Sequence, residues 1–464
     1  MRPLLPGWLA FPLALLFSAC RPASSIATPN PTATQTPAPA ASATLPVQSG
    51  PEAREETLRG TQVTVWHPWF GAEASLFQSQ VAQFNTDNPW GIVVLIQPQG
   101  NFTELFDAVS GSLTSSQRPD VIVALPEQTL VWDRESVVLD LTPYLSDPFF
   151  GLAENELSDF PSLFLAGDAL DGRRLGMPAQ RTGRFLLYNQ TWARQLGFDT
   201  APATADDFAA QTCAANRFMR SDALPDNDGQ GGWLVDAHPM TALAWMQAFN
   251  GGLLARDGYR FLTHPNLNAL TFIKDLYDRG CAWMPSDGNK ADHFSTRRAL
   301  LITASLDEFF EVVQAFTRAG NDDEWTVLAF PGTNGSNFLT YGSSYVILKS
   351  EDTRQLAAWL FVRWMLSPEN QARWVKSTGL FPLRASMMQT LQDYGRQHPQ
   401  WQAAVELLPV GQVPPQIPTW RKARPMVGDA FLSIFRLNTP TGQLSAVLAR
   451  MDGVLRDLQT DLDK

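Results

Sequence analysis

What the chain lacks narrows its function before any motif is read. It has no basic block: 35 Lys and Arg stand against 46 Asp and Glu, for a net charge of −11, which disfavours a phosphate-backbone partner and with it nucleic-acid binding. Charged residues amount to 17%, against a globular norm of about 25%, while 44% hydrophobic residues allow a sizeable core. After the first twenty residues no apolar run approaches the roughly 20 residues that a membrane span requires. Catalytic signatures are missing too: there is no HExxH, no GxSxG and no Walker A, and the five histidines (67, 238, 264, 293, 398) are scattered. Nothing in the sequence supports catalysis. A glycosidase carboxylate pair is spatial and would leave no trace among 46 acids.

Cysteine is also scarce, with three residues, and each has a reading. Arg2, the apolar run from Leu4 to Ala19 and Ser18-Ala19-Cys20 form a signal-peptide pattern over residues 1–19. Phe17-Ser18-Ala19-Cys20 resembles the bacterial lipobox, with Phe17 where Leu is usual, which implies that Cys20 becomes a lipidated first residue. Residues 20–58 continue as an Ala/Thr/Pro/Ser-rich tether whose composition cannot bury a core. Cys213 and Cys281 remain. In an exported chain this even count favours a disulfide over two free buried thiols.

Against these absences stands a surplus of aromatics, 15 Trp and 28 Phe beside only 7 Tyr. The segments that hold them alternate in type. Thr61–Trp66 reads as a strand, Ala72–Asn85 as a helix, Ile92–Ile96 as a strand buried on both faces, Phe102–Leu113 as a helix and Asp120–Ala124 as a second buried strand. This is an α/β pattern, in which ligands gather beyond the carboxyl ends of the strands. The later chain is helix-rich (240–250, 266–279, 306–319, 353–366, 368–377), with isolated strands at 185–188, 299–303, 326–329 and 344–348. Asp226-x-Asp228-Gly229 has the look of a calcium loop but lacks its acidic frame, so a polar turn is the simpler reading.

Several segments in order carry a resemblance: Val138–Tyr144, Gly176-x-Pro178 through Tyr188-Asn189, Arg298–Ile302, and Ala358-Trp359-x-Phe361 through Ser367–Gln371 to Gly379-x-x-Pro382. Over about 61–458 the chain resembles the extracellular solute-binding proteins of carbohydrate ABC importers, which include the maltose-binding and glycerol-3-phosphate-binding proteins. The resemblance implies a two-lobed periplasmic-binding-protein-like α/β fold, each lobe a sheet flanked by helices and joined by crossing strands. It assigns 61–175 plus 304–339 to lobe 1 and 177–299 plus 345–464 to lobe 2. It further implies a small-molecule carbohydrate ligand, permease subunits as partners, a monomer held at the outer face of the membrane or in the periplasm by its lipid alone, and no cofactor, metal or enzymatic activity.

A neutral sugar is held by flat apolar faces against its C–H patches and by planar polar groups on its hydroxyls. Trp66, His67 and Trp69 follow the first strand, Glu127 follows the third, and Trp420 and Arg424 follow the Pro-rich segment 411–418; all six are candidate ligand contacts. Gln180, Arg181 and Thr182 after the Gly-x-Pro crossover, Ser305, Gly342 and Ser343 at strand ends, and Trp233 and Trp283 complete the set. Arg181 has a second reading as the partner of a nearby acid across the hinge. Trp245, Trp359, Trp364 and Trp374 lie on amphipathic helices and are expected in the core. Leu380 replaces the aromatic of the glycerol-phosphate binder's Thr-Gly-x-x-Pro turn, which weakens a phosphate reading. A glycoside-acting enzyme and a sensor for a membrane receptor are the competing functional classes.

Overall fold

The computed structural model describes residues 57–462 apart from 257, 286, 287, 334, 437 and 438. The signal segment at 1–19, Cys20 and nearly all of the tether lie outside the described residues.

Two sheets organise the body. The first begins with β1 (Gln62–His67), α1 (Gly71–Asp87), β2 (Val93–Pro98), α2 (Phe102–Ser112), β3 (Val121–Ala124) and α3 (Pro126–Arg134). Local chemistry sets the boundaries. The Asn101 side chain accepts from the Thr103 and Glu104 backbone N–H groups while Glu104 reaches back to the Asn101 N–H, a reciprocal cap that starts α2. β1 lies between β2 and β3, parallel to both. The expectation of a doubly buried strand at 92–96 is corrected here: β2 is the sheet edge, and Val93 and Leu95 are 37% and 45% exposed. A continuous apolar run does not reveal whether a further strand will cover it. β3, inside the sheet, is buried throughout.

The chain leaves this sheet after β4 (Met177–Pro178) and enters the second at β5 (Thr182–Asn189). α4 (Ala205–Arg220), β6 (Gly231–Leu234), α5 (Pro239–Ala248), β7 (Ala282–Trp283), β8 (Ala299–Ser305), α6 (Phe309–Ala319), β9 (Trp325–Leu328) and β10 (Ser336–Tyr341) build the second lobe. β5 is its spine, antiparallel to β8 on one side and to β9 and β10 on the other. A disulfide joins Cys213 of α4 to Cys281 beside β7, as expected, and ties a helix to the sheet it covers.

The return crossing is Gly342-Ser343, after which β11 (Ser344–Ile347) inserts between β3 and β4 of the first sheet. α7 (Asp352–Met365) and α8 (Pro368–Thr378) then pack on α1, and α9 (Trp420–Ile434) and α10 (Leu444–Leu462) pack on helices of the second lobe. The assignment of 304–339 to lobe 1 and of 345–378 to lobe 2 is therefore corrected. Residues 325–341 pair with β5, and 344–378 lie on the first sheet, because β9 and β10 zip antiparallel to β5 before the chain turns back. The crossings touch: the Ala179 and Gln180 N–H groups both donate to the Ser343 carbonyl, at 2.9 and 3.2 Å. A Cβ at position 342 would stand 2.1 Å from the Gln180 carbonyl oxygen, so only glycine lets the strands pass this closely.

Candidate functional site

A cleft of about 700 Å³ opens between the lobes at the crossings. Its first-lobe wall is Glu73 near the start of α1, Phe102 at the start of α2, Leu125, and Ser377, Thr378 and Leu380 at the end of α8. Gln180, Gly342 and Ser343 form the floor. The second lobe contributes Thr182 and Arg184 of β5, His238 ahead of α5, Lys290, Ser305, Asp307 and Glu308 at the end of β8, Tyr341 and Arg424. Helix ends, strand ends and the crossing segments thus meet at the site, the place where open α/β sheets gather ligands.

Arg184 is the electrostatic centre. It lies in a wholly buried strand, and each arm of its guanidinium is engaged. Nε donates to Thr241 Oγ1 at 3.1 Å, Nη1 to Ser305 Oγ at 3.0 Å and Glu308 Oε2 at 2.9 Å, and Nη2 pairs with Asp236. Lys290 Nζ sits 2.5 Å from Glu308 Oε1. Burial alone would raise the Glu308 carboxyl, but Lys290 and Arg184 outweigh it and hold the group below the usual carboxylate range. Asp307 is raised by burial and by its neighbour Glu308. Glu73, from the opposite lobe, is pushed up to about 7 by burial and by the charge of Asp307. His238 is driven down to about 3, first by burial and then by Arg184; its ring lies nearly flat against Tyr341, centroids 5.9 Å apart. Tyr341 Oη is 2.7 Å from Ser305 Oγ, which fixes the phenol at the cleft wall.

The predicted site residues divide into two groups. Gln180, Thr182, Ser305, Gly342, Ser343 and Arg424 line the cleft; the other eight do not. Trp69 is 3% exposed, packed on Phe77 and Trp374, and stands one layer behind: its Nε1–H donates to Gln180 Oε1 at 2.9 Å. His67 is buried beside it, and burial lowers its pKa to about 4. Trp66 packs on the small cluster around Leu105 and Trp132. Trp233 is fully buried and donates to Thr303 Oγ1 at 3.1 Å, and Trp283 is buried edge-on to His293. Trp420 is fully buried and borders a crevice of about 30 Å³. Glu127 is buried against Arg424, and Arg181 is enclosed at the hinge with Asp168, its alternative reading. The tryptophan surplus is a packing feature: an indole beside a strand end removes far more apolar area from water by turning into the core than by waiting at a cleft wall. Trp245, Trp359 and Trp374 are likewise buried and Trp364 partly so, as their helical spacing predicts.

The residues that sequence reasoning missed had signals. Arg184 is a lone cation inside the buried strand Thr182–Asn189, and Asp307-Glu308 follow the strand 299–305 after a single residue, Leu306. Glu73 and Lys290 had none; only the fold brings them to the cleft.

A cleft between two lobes, floored by their crossing strands and walled by side chains of both, has the form and size of a small-molecule pocket in a two-lobed binding protein. Residues 79–409 match the model of the bacterial extracellular solute-binding proteins, and the chain belongs to that family. Among relatives, a protein of Brucella abortus (strain 2308), named only as a binding protein, is 22% identical over 82% of this chain and 90% of its own. Among solved structures, the sugar-binding protein MalE of Xanthomonas citri superposes with a TM-score of 0.73 at 20% identity, covering 87% of this chain and 98% of that one. The cyclic alpha-maltosyl-1,6-maltose binding protein of Arthrobacter globiformis gives 0.70 at 16% identity, over 86% and 98%. UgpB of Mycobacterium tuberculosis, in complex with glycerophosphocholine, gives 0.70 at 17%, over 87% and 99%. These similarities establish the two-lobed fold.

Proposed function

We propose that the protein is the substrate-binding component of an ABC importer and captures a sugar or oligosaccharide in the interlobe cleft. The observation that carries this reading is the composition of the cleft. Tyr341, His238 and Phe102 offer flat faces, and Gln180, Thr182, Ser305 and Ser343 offer neutral hydrogen-bonding groups from the crossings and both lobes. The solved neighbours named for sugars support it. Ligand contacts from both lobes favour the closed arrangement over an open one, and the closed form is what a permease receives. Export, lipidation at Cys20, tethering at the outer face of the membrane or in the periplasm, and action as a monomer complete the proposal.

A phosphorylated ligand fits less well, because Arg184, Lys290 and Arg424 are all engaged by acids. Glu73 and Asp307 across one cleft would suit glycoside hydrolysis, and release of sugar from chromogenic glycosides would separate that reading from binding. A thermal-shift screen of the purified protein with sugars and polyols tests the main reading. A ligand at a hundred times its Kd contributes about 2.7 kcal/mol, an easily read shift, and no response to any saccharide would refute it.

A further inference from the structure

The charges at the cleft do not cancel once Asp236 and Glu127, which lie behind its wall, are counted. Among the described residues its three cations are already matched: Arg184 by Asp236 and Glu308, Lys290 by Glu308, and Arg424 by Glu127. Two carboxylates are left over, Glu73 from the first lobe and Asp307 from the second, and among the described residues neither makes an ion pair. Asp307 accepts a long hydrogen bond from Thr182 Oγ1, at 3.4 Å, and one from a backbone N–H. A second feature points independently to a ligand. Ser343, fully buried, lines the same cleft and its Oγ has no hydrogen-bond partner, while its carbonyl already accepts from Ala179, Gln180 and Arg181. A buried hydroxyl left unpaired is costly, and this one is available to a cleft occupant.

We propose that the occupant carries a protonated amine on its sugar or polyol scaffold, seated between Glu73 and Asp307, with a hydroxyl meeting Ser343. This rests on the saccharide reading above and narrows it. An ammonium donates charge-assisted hydrogen bonds to both carboxylates, and it removes the like-charge repulsion that sets one lobe against the other. Binding and closure are then the same event. Phe102 and Tyr341 supply aromatic faces to the surrounding C–H groups and to the cation. The groups facing Glu73 and Asp307 are Glu308, Arg184, Lys290, His238, Tyr341 and Arg424. His238 stays neutral and the three cations keep their acids, so Glu73 is the group that titrates near neutrality.

Titration calorimetry at pH 8 with matched pairs tests this: glucitol against glucamine, and maltose against an aminodeoxymaltose. The amino member is expected to bind about tenfold or more tightly, the range of a hydrogen bond to a charged group. The advantage should shrink as pH falls through about 7, where Glu73 takes up a proton. Glu73→Gln and Asp307→Asn should each abolish most of that advantage. The wild-type pH profile decides the matter if a variant folds poorly. Equal or tighter binding of the neutral members, flat with pH, would overturn this inference alone. Binding of neither class would overturn the saccharide reading and this one with it.

Discussion

Arg424 of the second lobe sits 3.1 Å from Glu127 of the first, a buried carboxylate met by a cation from across the cleft. One turn away the Arg421 guanidinium lies 3.9 Å from the ring centre of Phe106, also in the first lobe. Read singly, Glu127 and Arg424 each suggested a ligand contact. In the structure they answer each other, and they latch α9 to α3 while the cleft stays accessible beside them.

The latch predicts a pH-dependent loss. Arg424→Met strands the buried Glu127, whose carboxyl is already raised by burial despite the arginine. Removing one partner of a buried pair typically costs about 3–5 kcal/mol, and here partial exposure of Arg424 puts the expected loss at the lower end. The loss should be greater at pH 8 than at pH 5, where the stranded carboxyl is more readily protonated. Thermal melts at the two pH values check it; equal losses would mean that Glu127 is not the group affected.

At the hinge Arg181 Nη2 lies 2.6 Å from Asp168 Oδ2 and the same guanidinium donates to the Ser343 and Phe164 carbonyls. Asp168→Ala leaves a buried arginine without its counter-charge and should destabilise the protein by about 3–5 kcal/mol in denaturant unfolding. A variant with unchanged midpoint would remove Arg181 from its hinge role.

Trp420→Ala should behave as a core truncation. The indole is fully buried among second-lobe apolar residues, so a loss of about 3–5 kcal/mol is expected, with the affinity of the remaining folded protein largely retained. A stable variant that no longer binds would return Trp420 to the site.

Glu73→Gln should stabilise the ligand-free protein at high pH. With a folded pKa near 7 against 4.5, the folded state holds a proton that the unfolded chain releases. Stability therefore falls as pH rises through that window and stays lowered above it. After discounting for partial exposure, the variant gains about 1 kcal/mol at pH 8 and nothing at pH 4. A gain that is the same at both pH values would contradict the assignment.

The fold was legible because most of its signals are local: the β-branched run of β1, the helical spacing of α1 and the Gly-x-Pro crossover each follow from a few neighbouring residues. The site was legible in part. Gln180, Thr182, Ser305, Gly342 and Ser343 lie on the cleft wall because they sit at strand ends and crossings, which are marked in the chain. The tryptophans misled because a residue suited to stacking on a sugar is equally suited to a core, and burial depends on what the fold places opposite. Glu73, Lys290 and the pairing of Glu127 with Arg424 are products of tertiary structure, joining residues up to hundreds of positions apart.

The central claim is that a saccharide-class ligand binds at the hinge cleft against Tyr341. Calorimetric titration of wild type and Tyr341→Ala with the tightest ligand from the sugar and amino-sugar panel tests it most directly. The account predicts saturable one-to-one binding by the wild type and a loss of roughly tenfold or more in the variant, in line with a buried aromatic contact. Undiminished affinity in a folded Tyr341→Ala protein would contradict it.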